Sequence, residues 1–157
     1  MALVLFDTNI FIDALKNYTE ALEELAHWDD PAISAITWME IYAGATPEEV
    51  PVIDAMIKGT GFAIIHTDDE IARIAAQIRG ESIRKRPKIA LPDAIIMATA
   101  QARGLPIITR NKKDFTGPHV RIPYELVSGL DGTIEVINVA PRTKLTAPSS
   151  KSGVTYQ

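Results

Sequence analysis

The chain has no cysteine among its 157 residues, which excludes a disulfide framework and any thiolate metal site. Long apolar runs are missing too, so no segment approaches the length of a membrane span. The opening MALVLF is too short for the apolar region of a signal peptide, lacks a basic flank and leads straight into Asp7. Those absences predict a cytoplasmic protein with no membrane partner. An excess of positive charge is also lacking: 16 Lys plus Arg stand against 20 Asp plus Glu, a formal charge of -4. Any polyanion must therefore be held by a local patch rather than by the whole surface. Histidine is sparse, and His27, His66 and His119 are isolated along the chain, which gives them no catalytic role.

What is present is an ordinary globular composition, 46% hydrophobic and 23% charged, at a length suited to a single core. Short β-rich runs at Ala2 to Phe6, Ala32 to Ile36, Phe62 to His66 and Pro106 to Thr109 alternate with longer helical patterns. This alternation predicts an α/β fold with a mostly parallel sheet covered by helices. Thr46-Pro47-Glu48-Glu49 and Thr67-Asp68-Asp69-Glu70 read as capping boxes at helix starts. Pro92 to Arg103 reads as a helix packed closely on the sheet and stopped by Gly104, which places Asp93 in its first turn. Further short strands are expected at Val120 to Ile122 and Ile134 to Val139. The chain divides into one domain over 1–140 and a polar tail over 141–157, rich in Pro, Ser, Thr and Lys and too poor in apolar surface to order itself.

The most informative stretch is ALVLFDTNIFID, where an apolar strand runs directly into Asp7, Thr8 and Asn9. Ligands of open α/β sheets bind outside the carboxyl ends of the strands, so a carboxylate delivered there is a candidate site residue. Glu40 in TWMEIYAGA, Asp93 in ALPDAIIMATA and Asn111 with Asp114 in PIITRNKKDF extend the set. Each has a bland alternative. Asp7 could cap a turn, Glu40 could face solvent, Asp93 is favoured at a helix start by the macrodipole alone, and Asp114 could be a turn residue.

Convergence of the four would change the chemistry, because unpaired carboxylates about 4 Å apart repel by about 4 kcal/mol at an effective dielectric near 20. A cation must then sit among them, and oxygen-only donors select Mg²⁺ or Mn²⁺. Such ions serve phosphodiester chemistry by activating water and neutralising transition-state charge, with no Ser, Cys or Lys nucleophile.

At these residues the chain resembles the PIN-domain family of metal-dependent ribonucleases, most closely the toxins of VapBC toxin–antitoxin pairs. The likeness runs from Leu3 to Ile122 through the strand–DTN opening, MEIYAGA, PDAIIMATA and ITRNKKDF. It implies that Asp7, Glu40, Asp93 and Asp114 form the family's catalytic, metal-binding quartet, with Thr8, Asn9, Thr109 and Asn111 in support; whether Asn111 or Asp114 touches the ion stays open. It implies a three-layer fold with strand order 3-2-1-4-5, a homodimer, and inhibition by a VapB-type antitoxin. The chain continues well past the fifth strand, where many such toxins stop.

For an RNA substrate the expected basic rim is Arg84, Lys85 and Arg86, followed by Pro87-Lys88 and preceded by Arg79, with Arg110, Lys112 and Lys113 interleaved among the last acids. A solvated helix end is the alternative for the first cluster. Trp38 and Tyr42, one helical turn apart, could stack bases or pack in the core or a dimer seam. The leading expectation is an endoribonuclease. A catalytically weak module that binds nucleic acid or a partner on the same fold is the alternative, and an aspartyl phosphatase is disfavoured because Asn9 stands where its second Asp belongs.

Overall fold

In this computed structural model the described residues are 3–143 and 145. The chain runs β1 (Val4–Phe6), α1 (Thr8–Leu15), α2 (Thr19–His27), β2 (Pro31–Ser34), α3 (Ala35–Ala43), α4 (Val50–Thr60), β3 (Ala63–Ile65), α5 (Asp69–Lys85), α6 (Leu91–Arg103), β4 (Ile107–Ile108), β5 (Val120–Arg121), β6 (Glu125–Ser128) and β7 (Ile134–Ile137). The first five strands form one sheet in the order β3-β2-β1-β4-β5 with every pairing parallel. That is the α/β architecture and the strand order expected from the sequence. Strands β6 and β7 form a separate antiparallel pair. The run Ile134 to Val139 supplies β7, whereas β6 was not anticipated, because Glu125–Ser128 shows no clean alternation.

The sheet is buried on both faces, so its central strands are continuously apolar rather than alternating. Side chains still alternate in direction. Val4 and Phe6 point with Ile33 and Ile108 into one core that includes Ile10, Phe11, Ile41 and Phe62. Leu5 points with Ala32 and Ile107 into the other, against Ile96 and Ala100 of α6 and Phe115. Phe62 binds the first core together by stacking edge-on to Phe6 at 5.9 Å and tilted against Phe11 at 5.6 Å. Three layers follow, with β1 and β4 central.

The caps differ slightly from expectation. Asp68, not Thr67, caps α5, accepting from the Ile71 amide at 2.9 Å. Before α4 only half of a capping box forms: the Glu49 carboxylate accepts from the Thr46 amide at 2.9 Å, while the helix itself starts at Val50 with Pro51 in its first turn. Helix α6 ends at Gly104 in the left-handed region (φ 64), which glycine adopts without a side-chain penalty.

The start of the polar segment is tied down. Arg142 donates to Glu24 at 3.0 Å and to Glu23 at 3.1 Å, and Leu145 packs against the first core. Residues 144 and 146–157, most of the expected tail, lie outside the described residues. Among the described residues no helix is long and apolar enough to cross a membrane.

Candidate active site

Strand β1 ends at Phe6 and the chain enters α1 without a linker, so Asp7 becomes the helix N-cap. Its carboxylate is almost fully buried (4% exposed) and its acceptors are filled. Oδ1 accepts from the Thr8 amide at 2.7 Å, and Oδ2 accepts from Thr109 Oγ1 at 2.7 Å and Asn9 Nδ2 at 3.2 Å. Thr109, the residue just past β4, thus aims its hydroxyl at Asp7 while accepting from the Asn111 amide at 3.0 Å and Asn9 Nδ2 at 3.2 Å. Each polar atom is held from two sides, which orients the carboxylate.

Glu40 arrives from the other side, on α3. Thr8 Oγ1 donates to Glu40 Oε1 at 2.9 Å and lies 3.0 Å from Thr37 Oγ1, so α1 and α3 meet through this hydroxyl. Asp114 sits in the loop after β4, where Asn111 clasps it: Asn111 Nδ2 donates to Asp114 Oδ2 at 3.0 Å, and the Asp114 amide donates to Asn111 Oδ1 at 3.2 Å. Asp93 stands in the first turn of α6, as its spacing predicts.

The electrostatics place the acids in one field. Burial pushes Asp93 up to about 6, and the charges of Asp7 and Asp114 push the same way. Burial also raises Asp7 above the ordinary carboxylate range, with Glu40 adding to the rise, against the lowering effects of the Thr109 and Thr8 hydrogen bonds and of Arg110. Neighbouring anions that raise one another in this way form an acidic cluster without sufficient counter-charge. Among the described residues no three His, Cys, Asp or Glu side chains meet the spacing that holds a metal ion outright. The donor set is all oxygen, which suits a hard cation held by one or two carboxylates together with water and a substrate phosphate.

Two cations proposed from sequence for the rim are engaged inside the fold. Arg110 grips Asp13 with two bonds, Nε to Oδ2 at 2.5 Å and Nη2 to Oδ1 at 3.1 Å, and its amide donates to Asn9 Oδ1 at 3.2 Å. Lys112 pairs with Glu125 on β6. By contrast Arg84, Lys85, Arg86 and Lys113 are exposed and make no ion pair among the described residues. Trp38 is neither core nor free of contact: it is 39% exposed and lies 4.6 Å from Tyr42, whose hydroxyl donates to Asp54.

Three residues that bear on the site were missed from sequence: Thr37, Asp13 and Tyr124. Thr37 and Asp13 carried a readable signal, since Thr37 is three residues before Glu40 on α3 and Asp13 is four after Asn9 on α1, both same-face spacings. Tyr124 carried none. Its buried hydroxyl donates to Asp13 Oδ2 at 2.7 Å across 111 positions of sequence. Tyr124→Phe keeps the ring and deletes that bond to a charged acceptor. A loss of about 1.5–3 kcal/mol is expected, seen as a lower urea midpoint with an unchanged slope.

A parallel sheet in this order, with carboxylates gathered beyond the ends of its central strands, defines an α/β domain with an acidic site at the topological switch point. The PIN domain model matches residues 4–116, and the chain belongs to that family. It is 32% identical over 124 residues to the tRNA(fMet)-specific endonuclease VapC of Salmonella typhimurium (strain LT2), spanning 75% of this chain and 94% of that protein. The VapC of the same description from Shigella flexneri is 31% identical over 116 residues, spanning 71% and 88%. The solved toxin-antitoxin complex from Klebsiella pneumoniae matches with a TM-score of 0.66 at 44% identity, covering 78% of this chain and 98% of that one.

Proposed function

We propose that this protein is a metal-dependent endoribonuclease, the toxin of a toxin–antitoxin pair, acting in the cytoplasm as a homodimer. The observation that carries the reading is the mutual field of Asp7, Asp93 and Asp114, with Glu40 coupled to Asp7, at the ends of β1 and β4. These four residues are assigned as the ligands of Mg²⁺ or Mn²⁺, which when bound activates water and neutralises charge building on the phosphate. The protein's own part is orientation. Thr109, Asn9 and the Thr8 amide hold Asp7, Thr8 turns Glu40 inward, and Asn111 aims Asp114, which makes Asp114 the ligand and Asn111 its support. Arg110 acts through structure, clamping the β4 loop to α1 at Asp13.

The curated relatives are endonucleases named for tRNA(fMet), and RNA is accordingly the substrate class assigned here. A VapB-type antitoxin is the assigned inhibitor. Exposed Trp38 and Met39 on α3, with Val52 on α4, offer the aromatic and Met surface that protein interfaces favour.

Purified protein incubated with total RNA should give discrete products with Mg²⁺ or Mn²⁺ and none with EDTA. Equal cleavage in EDTA would overturn the metal assignment. Binding of RNA without products under all conditions, with metal bound, would favour the catalytically weak binding module.

A further inference from the structure

The cations around the acidic cluster divide into two groups. Arg110 and Lys112 are paired with Asp13 and Glu125. Arg84 lies back along α5, its guanidinium 3.3 Å from where a side chain on Gly80 would begin. Arg86 and Lys113 are left unpaired among the described residues, and although 27 positions separate them, they line one pocket together with Asp114. That pocket has a volume of about 350 Å³, at the small end of the roughly 300–1,000 Å³ range of ligand sites.

Its wall is apolar, formed by Ile78 of α5 with Pro87 and Ile89 of the α5–α6 turn. That turn is pinned. Arg79 Nη1 donates to the Ile89 carbonyl at 2.8 Å, the Ile89 amide donates to Ser82 Oγ at 3.0 Å, and Ser82 Oγ donates to the Arg79 carbonyl at 2.7 Å. The wall is therefore already shaped before any ligand arrives, which lowers the ordering cost of binding. Glu81 on the same lining repels an anion and confines it to the Arg86–Lys113 side.

We propose that this pocket is a nucleotide subsite, seating a ribonucleotide that flanks the scissile phosphate, with a neighbouring phosphate on Arg86 and Lys113 and its base on Ile78, Pro87 and Ile89. The proposal rests on the endoribonuclease reading and adds to it a place where the strand is gripped. Contiguity with Asp114 sets which nucleotide it is, because the strand must pass from the acids directly into the pocket.

The test uses the full chain carrying Asp93→Asn, so that RNA is bound without being cut, and a labelled single-stranded eight-nucleotide RNA read by fluorescence anisotropy. Arg86→Ala with Lys113→Ala should raise Kd at least 10-fold. It should also flatten the slope of log K against log salt by about 1.4, at roughly 0.7 per phosphate contact. A control pair, Lys16→Ala with Lys58→Ala, makes the same charge change at other exposed positions and should move Kd less than 2-fold. In the wild-type background the Arg86–Lys113 double variant should raise KM for RNA while the thermal midpoint stays put.

Cleavage by wild type with RNA affinity and KM unchanged in the double variant would overturn the subsite and leave the endoribonuclease standing. An equal loss of affinity in the control pair would also overturn it, reducing the effect to net charge. Weakened binding of the antitoxin, with RNA affinity intact, would assign the pocket to the protein partner and overturn the nucleotide subsite. Failure of wild type to bind or cut any RNA would remove the underlying reading and the subsite together.

Discussion

Replacing Asp93 with Asn is expected to lower RNA cleavage by more than about 100-fold and, in the absence of divalent metal, to raise the thermal midpoint. The first effect follows from the assignment of Asp93 as a ligand: loss of a residue that merely supports a ligand already costs about 10–100-fold, and a direct ligand costs more. The second follows from its environment. Burial, then the charges of Asp7 and Asp114, raise Asp93 from an ordinary 3.8 to about 6. A carboxyl raised in the folded state favours folding below its unfolded value and loses that contribution as pH climbs through the folded one. Between pH 4 and 6, therefore, the metal-free protein sheds stability as Asp93 ionises. Asn cannot ionise and should show a gain at pH 8 on the order of 1–2 kcal/mol after allowance for solvent screening, a rise of a few degrees. Near pH 4 the difference should vanish. Saturating Mg²⁺ should reverse the order by stabilising wild type alone, since a ligand that binds only the folded state adds stability by mass action. Calorimetry at pH 4 and pH 8, each with EDTA and with Mg²⁺, checks all four conditions. A variant less stable than wild type in EDTA at pH 8 would remove the electrostatic argument for a cation site.

The largest stability effect is expected away from the acids, at Glu24. This carboxylate on α2 is 1% exposed and accepts from Arg121 Nε at 2.5 Å, Arg121 Nη2 at 3.1 Å, Trp28 Nε1 at 3.0 Å and Arg142 Nε at 3.0 Å. Arg121, 8% exposed on β5, also donates to the carbonyls of Pro141 at 2.8 Å and Ala140 at 3.3 Å and lies 5.7 Å from the centre of the Trp28 ring. Glu24→Ala leaves that guanidinium buried without its counter-ion. A loss of about 3–5 kcal/mol is expected, or about 10 °C in the midpoint. Adding Arg121→Met should recover most of it, because a buried pair replaced by apolar groups is often neutral.

Burial alone would raise Glu24, yet the bonds from Arg121, Trp28 and Arg142 outweigh it and hold the carboxyl below its ordinary 4.5. Its contribution is accordingly present above pH 4.5 and lost as pH falls. The gap between wild type and Glu24→Ala should narrow on acidification, the opposite trend to Asp93. A loss under 1 kcal/mol at pH 7 would show the cluster to be replaceable by water.

Legibility from sequence followed the range of the interactions. Strand β1 and the Asp7-Thr8-Asn9 turn were readable because an apolar run ending in a carboxylate is a local pattern, and α6 was readable to its last residue because Gly104 is a local stop signal. Strand ends were overdrawn. Pro106 to Thr109 shrank to Ile107–Ile108 because its flanking residues are buried by the loop and helix they join rather than by ladder pairing. The one-residue slip at the α5 cap has a similar origin, since Thr67 and Asp68 both carry a capping oxygen and only the backbone path chooses between them. The strand order was anticipated by family resemblance, not by spacing.

By itself, then, the sequence determined the fold class, the helix stops, and the four carboxylates that strands and helix starts would deliver, all consequences of periodicity and capping within a few residues. Only the tertiary structure decided which charges remain available. Arg110 and Lys113 look alike in RNKKDF, but Arg110 meets Asp13 across 97 positions while Lys113 stays open beside Asp114 and Arg86. The difference is set by which side chain the folded chain brings within hydrogen-bond reach. Local spacing does not carry that information, because a charge is as readily a buried clamp as a ligand's partner until its neighbour in space is known.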